Sequence, residues 1–113
     1  MTGEPIPDRV VRHLEAFNRA VESGRYHELA DRFAPDAVML FVGVPVGPYQ
    51  GRGAILAGYE QAPPDDTMEA VAVTSDGPTD VVRFLWSKGG TGTMIMQWDG
   101  DFIARLDVAF DPT

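Results

Sequence analysis

The chain has 113 residues, 44% of them hydrophobic and 23% charged, which suits one domain with a real core and excludes a disordered tail. Seventeen acidic residues against nine basic ones leave a net charge of −8, which argues against nucleic acid and against anionic membrane surfaces as partners. Cysteine is absent, so disulfides, thiolate metal sites and cysteine nucleophiles are excluded.

The first predicted element is a helix over Asp8–Ser23. Val10, Leu14, Phe17 and Val21 recur at helical spacing opposite Arg12, Glu15, Arg19 and Glu22, with Asp8 as N-cap and Gly24 as the stop. A shorter helix is predicted over Tyr26–Phe33, burying Tyr26, Leu29, Ala30 and Phe33, with Pro35 ending it. Ala37–Val42 reads as a buried strand, and Gly43–Pro48 alternates breakers with apolar residues, as an ordered loop does. A third helix is predicted over Arg52–Gln61, closed by Pro63-Pro64. From Thr67 the apolar period changes to two. Strands are predicted over Thr67–Ser75, Val81–Lys88, Thr91–Trp98 and Phe102–Phe110, joined by turns short enough for antiparallel hairpins. No repeat or linker divides the chain, so one domain spanning 1–113 is expected, ordered over about 8–111. The order of elements predicts an α+β fold, with helices covering one face of a curved sheet.

No stretch is long and apolar enough to span a bilayer. The Met1–Pro5 start lacks the basic and apolar segments of a secretion signal, so the expected location is cytoplasmic.

Alternation sorts the meander into two faces. One collects Val82, Phe84, Trp86, Met94, Met96, Trp98, Leu106, Val108 and Phe110, all apolar. Covered by helices, this face either lines a cavity for an apolar small molecule or fills a core. No ionisable residue is expected on it. The opposite face mixes Val81, Arg83, Leu85, Thr93, Ile95, Gln97, Arg105 and Asp107. That face is either wet or the interface of a homodimer.

Three runs carry a resemblance to a known family: Phe17-Asn18-Arg19-Ala20-Val21-Glu22-Ser23-Gly24, then Leu29 to Val38 with its Phe33-Ala34-Pro35-Asp36-Ala37-Val38, and Gly51-Arg52-Gly53-Ala54-Ile55. With the closing Val108-Ala109-Phe110-Asp111, they resemble the nuclear transport factor 2-like superfamily, in its ketosteroid isomerase and SnoaL-like branch. The resemblance implies a cone-like roll, a curved mixed sheet wrapped around N-terminal helices. It leaves function open, because this fold hosts isomerases, cyclases, hydrolases and adaptors. In the isomerases an aspartate moves a proton while a tyrosine and a protonated aspartic acid hold the oxyanion. Placed on this sequence, the tyrosine falls on Phe17 and the second acid on Met94. The base falls on Phe41, or on Val44 when Pro45-Val46-Gly47 is the anchor. Phe, Val and Met neither hold a proton nor donate to an oxyanion. Tyr59 falls where some isomerases carry a supporting tyrosine. The cyclases' last-strand aspartate falls near Val108, and the adjacent Asp107 points to the other face unless a bulge re-aims it. The related epoxide hydrolases use an Asp-Arg-Asp set; this chain has Arg83, but no inward carboxylate accompanies it on its strand.

Other constellations are weaker. His13, on the flank of the first helix's stripe, is either a boundary histidine or an acid–base group at the pocket mouth. His27 lies on the solvent side of its helix and has no assigned role. Asp65-Asp66 suits a solvated turn or N-cap, and Gly51-x-Gly53 lacks the rest of a phosphate loop. No metal or cofactor is expected. The expected function is binding of a small hydrophobic, steroid- or polyketide-like molecule by Phe17, Phe41, Val44, Tyr59 and the nine-residue sheet face. The alternative is a divergent or engineered isomerase- or cyclase-type enzyme using His13, Tyr59 or Asp107.

Overall fold

The first helix, α1 (Asp8–Ser23), buries Val10, His13, Leu14, Ala16, Phe17 and Ala20. It stops as the sequence predicts, at Gly24, whose φ of 76° lets its amide reach the Ala20 carbonyl at 2.8 Å. Its start differs. Pro7 is the N-cap residue and Asp8 lies inside the first turn, without a side-chain cap. These coordinates are a computed structural model describing residues 6–112; the Met1–Pro5 start, read above for a secretion signal, lies outside the described residues.

The second helix is shorter than predicted. Only α2 (His27–Ala30) is helical, and strand β1 (Phe33–Val42) begins where the helix was expected to end. Tertiary bonds decide this. The Ile103 amide donates to the Arg32 carbonyl at 2.9 Å, and the Arg52 guanidinium donates to the Phe33 carbonyl at 2.9 and 2.6 Å. Pro35 is tolerated because the ladder is irregular between Phe33 and Val38, so its missing N–H breaks no regular pairing. A two-residue strand, β2 (Tyr49–Gln50), follows the Gly43–Pro48 loop and pairs with Val38 and Met39.

Helix α3 (Arg52–Gln61) packs Ile55, Gly58 and Tyr59 inward. A Cβ at Gly58 would come within 2.8 Å of the Tyr49 ring, which would have to shift. Strands β3 (Met68–Asp76), β4 (Thr79–Trp86), β5 (Thr91–Asp99) and β6 (Phe102–Phe110) complete one open sheet, ordered β2-β1-β6-β5-β4-β3. Among the described residues only β1 and β6 pair in parallel. Register shifts supply two bulges, one in β3 where Val71 is the extra residue and one in β6 where Ala104 is extra opposite Gln97 and Trp98; bulges bend a strand and sharpen its twist. The α+β architecture is therefore a curved six-stranded sheet with the helices over its concave face.

The second bulge also corrects the facing. Because the register slips, Ile103 joins Leu106 and Val108 in the core. A larger correction concerns charge. Strand β4 starts at Thr79 rather than Val81, so Asp80 shares the inward face with Val82 and Phe84 and is fully buried. It accepts from Arg9 Nε at 2.7 Å and Arg9 Nη2 at 2.9 Å, from Ser75 Oγ at 2.7 Å and from Trp98 Nε1 at 2.9 Å. The Arg9 guanidinium lies 5.4 Å from the Trp98 ring centroid. This cluster ties the start of α1 to the β3–β4 hairpin.

Candidate functional site: an apolar cavity under the sheet

The inward stripes of α1 and α3 do not fill the concave face completely. Between them lies a cavity of about 480 Å³, within the range of small-molecule sites. Helix α1 contributes His13, Leu14 and Phe17, and α3 contributes Gly58 and Tyr59. Met39, Phe41, Met68, Trp86, Met94, Leu106, Val108 and Phe110 come from the sheet. Asn18 sets the edge of this floor, donating to the Met68 carbonyl and accepting from the Met68 amide, each at 2.9 Å.

One wall is aromatic. Phe110 lies near-parallel to Phe41 (6.1 Å, 6°) and to Trp86 (6.3 Å, 20°), and Trp86 meets Phe84 edge-on at 5.3 Å. This contact needs a gap in β5, which runs between the strands bearing these rings. The gap is Gly92, opposite both Phe84 and Phe110, where a Cβ would lie 2.3 Å from the Phe84 ring.

Exposed residues mark the opening: Ala62, Asp65, Lys88 and Gly89, with Val46 from the Gly43–Pro48 loop. Asp66 fastens this rim by accepting from the amides of Thr67 (2.9 Å) and Lys88 (2.8 Å), and Lys88 Nζ donates to the Asp65 carbonyl at 2.9 Å. The Asp65-Asp66 pair is therefore a turn device that carries charge to the rim.

Two buried ionisable side chains, His13 and Tyr59, stand at the cavity wall inside the rim, with the half-buried Tyr49 beside them. His13 is 1% exposed, edge-on to Phe33 at 5.9 Å, and its Nδ1 is buried without a hydrogen-bond partner. Burial, assisted by the Arg32 charge, pushes its pKa down to about 3, so the imidazole is neutral at physiological pH. Tyr59 stacks on Tyr26 at 5.4 Å, and burial raises its pKa well above the ordinary phenol value. It stays a neutral hydrogen-bond donor.

Of the residues singled out from the sequence, Phe17, Phe41, Tyr59, Trp86, Met94, Leu106, Val108 and Phe110 border the cavity, as does His13. Five do not. Val44 stands exposed in its loop, while Val82, Phe84, Met96 and Trp98 are packed into the core, Phe84 directly behind the lining residue Trp86. Alternation gives a face but not the point along each strand where the helices lift away. Asp107 is turned outward and paired with Arg105 at 2.9 Å, so no bulge re-aims it. Arg83 is outward too, paired with Asp111 at 2.8 Å, and His27 is exposed. Sequence reading missed Leu14, Met39, Met68 and Tyr49 as lining residues. Met39 alternates with Phe41 on β1, which was signal enough. Among the described residues no group of three or more His, Asp or Glu side chains is arranged to hold a metal ion, and no helix is long and apolar enough to cross a membrane.

A family model for the SnoaL-like domain matches residues 14–109, most of the chain. The chain belongs to the SnoaL-like family. Its fold is that of the nuclear transport factor 2-like superfamily. A candidate polyketide cyclase from Sinorhizobium meliloti is 27% identical, with 91% of this chain and 94% of that one covered at a TM-score of 0.69. A SnoaL-like protein from Burkholderia thailandensis (15% identity, 96% and 100% covered, TM-score 0.73) shares the fold. So does a candidate ketosteroid isomerase from Kribbella flavida (16% identity, 90% and 80% covered, TM-score 0.67). None of the curated proteins matches the chain.

Proposed function

We propose that this SnoaL-like domain binds a small hydrophobic molecule, steroid- or polyketide-like in size, in the cavity beneath its sheet. The carrying observation is the cavity itself: about 480 Å³, walled by Phe, Trp, Met and Leu side chains, with ionised groups confined to the rim. Phe17, Met94 and Phe41 border this space; the resemblance places the isomerase tyrosine on Phe17, the second acid on Met94 and the base on either Phe41 or the exposed Val44. None of them transfers a proton, so the reading is binding without the isomerase machinery. A steroid ketone, a naphthol and an anthraquinone, each added in excess, form the first test. A ligand at a hundred times its Kd adds about 2.7 kcal/mol to stability, so the melting temperature rises by several degrees. Unchanged melting with all three overturns the reading.

The enzymatic alternative rests on His13 and Tyr59 bordering one cavity. It asks His13 to act as a base although its neutral form is favoured down to about pH 3, which makes it a weak proton acceptor at pH 7. Turnover of a β,γ-unsaturated ketone that is lost on substituting His13 or Tyr59 would favour that alternative. The proposal also includes a homodimer through the outer sheet face, where Val81 and Ile95 stand exposed as cross-strand partners beside Arg83 and Thr93.

A further inference from the structure

His13 is the only residue of the cavity wall whose side chain has a fully buried polar atom without a partner among the described residues. A buried polar group left unsatisfied is costly, and an apolar residue of similar size at this position would avoid that cost. Leu14 and Phe17 on the same helix, Phe33 beside the ring and Met39 in the lining offer an imidazole no donor, and the Tyr49 and Tyr59 hydroxyls that also border the cavity leave His13 Nδ1 without a partner. We propose, resting on the binding reading above, that His13 orients the ligand, its neutral imidazole accepting a hydrogen bond from a hydroxyl on an otherwise apolar, uncharged molecule.

The surroundings favour that class of ligand. A neutral imidazole always has one bare nitrogen to accept a hydroxyl proton, and His13 stays neutral because burial and Arg32 oppose its protonation. A carboxylate would find no cation inside: Lys88, the one basic side chain at the cavity besides His13, sits at the rim beside Asp65 and Asp66. Arg32 offers the competing explanation. Its Nε is also buried without a partner, and a bond donated from it to the bare nitrogen of His13 would satisfy both within the protein.

The test uses 2-naphthol and 2-methoxynaphthalene, a pair matched in shape but differing in the donated proton. Binding is measured by calorimetry on the whole chain and on His13→Leu. The wild-type protein binds the naphthol about tenfold tighter, as one neutral hydrogen bond predicts, and His13→Leu removes the preference while keeping affinity for the ether. Equal affinities in the wild type, the result expected where Arg32 or a buried water occupies the imidazole, overturn the inference and leave the binding reading standing. A preference that survives in His13→Leu also overturns it. Failure of both compounds to bind overturns this inference, and the binding reading falls with it only where the steroid ketone and the anthraquinone also leave the melting temperature unchanged. Where His13→Leu does not fold, the ¹⁵N resonances of the His13 ring decide: naphthol must move the accepting nitrogen well beyond the small ring-current shift that the ether produces, and equal shifts overturn the inference.

Discussion

His13 and Asp80 are both buried, ionisable and inward, yet their surroundings treat them oppositely. Asp80 suffers the burial penalty but receives hydrogen bonds from Arg9, Ser75 and Trp98, and these hold its pKa below the ordinary carboxylate value. His13 has no such compensation and is held neutral. The signs give two separate pH windows. The unfolded chain protonates its histidine near 6.5 while the folded chain resists until about 3. Stability is therefore full above pH 6.5 and falls at about 1.4 kcal/mol per pH unit as pH drops through that window. Asp80 acts only lower, since stability from a depressed carboxylate is present above its unfolded pKa of about 3.8 and is lost as pH falls below that. Denaturant melts from pH 7 to pH 4.5 should show the first slope, and His13→Leu should flatten it. At neutral pH, Asp80→Asn should cost about 2–4 kcal/mol in urea unfolding. That is less than for a fully enclosed pair, because Arg9 keeps a third of its side-chain surface exposed.

At the scale of the element, the cavity depends on glycines that let aromatic rings pass. Gly92 is the sharper case: a Cβ there would also lie 2.6 Å from the Ala109 carbonyl, a backbone atom that cannot move aside. Gly92→Ala should therefore destabilise by about 2–4 kcal/mol, read by thermal melting, and should loosen the Trp86–Phe110 contact. Gly58→Ala meets only the Tyr49 side chain, so its cost should be lower and its effect should fall on the cavity's edge. Much of this layer was legible. Helices α1 and α3 keep their one-sided stripes and their Gly and Pro boundaries, and three hairpins follow from their turns. What was hidden depends on partners distant in sequence. The Tyr26–Phe33 segment has a helical pattern, but Arg52 and Ile103 draw its end into the sheet. Thr79-Asp80 looks like a turn residue pair, and pairing with Asp76 and Ser75 on one side and Gln97 and Met96 on the other makes it strand. His13 was visible at the stripe's flank, but its complete burial depends on Phe33 and the elements packed over it.

For the whole molecule, the fold and the family follow from sequence pattern, whereas the cavity depends on how far α1 and α3 stand from the sheet. No period in the sequence encodes that distance. The acidic balance takes on a location: Asp65 and Asp66 mark the cavity's rim, and Asp107 and Asp111 are held by arginines on the outer face. The proposed homodimer makes a separate prediction here. Sedimentation should find twice the 12.3 kDa chain mass, and Ile95→Lys should return the monomer without unfolding it, since Ile95 is exposed in the isolated chain. A monomer at all concentrations would remove the dimer and leave the cavity untouched.

The central claim is that the space under the sheet is a ligand site, and the two tryptophans report on it separately. Trp86 borders the cavity, whereas the Trp98 indole is bonded to Asp80 away from the lining. A ¹H–¹⁵N titration with 2-naphthol or a steroid ketone therefore carries its own control. Saturable movement of the Trp86 indole resonance with the Trp98 resonance unmoved is the predicted result. A titration that leaves both unmoved, or moves both without saturation, would contradict it.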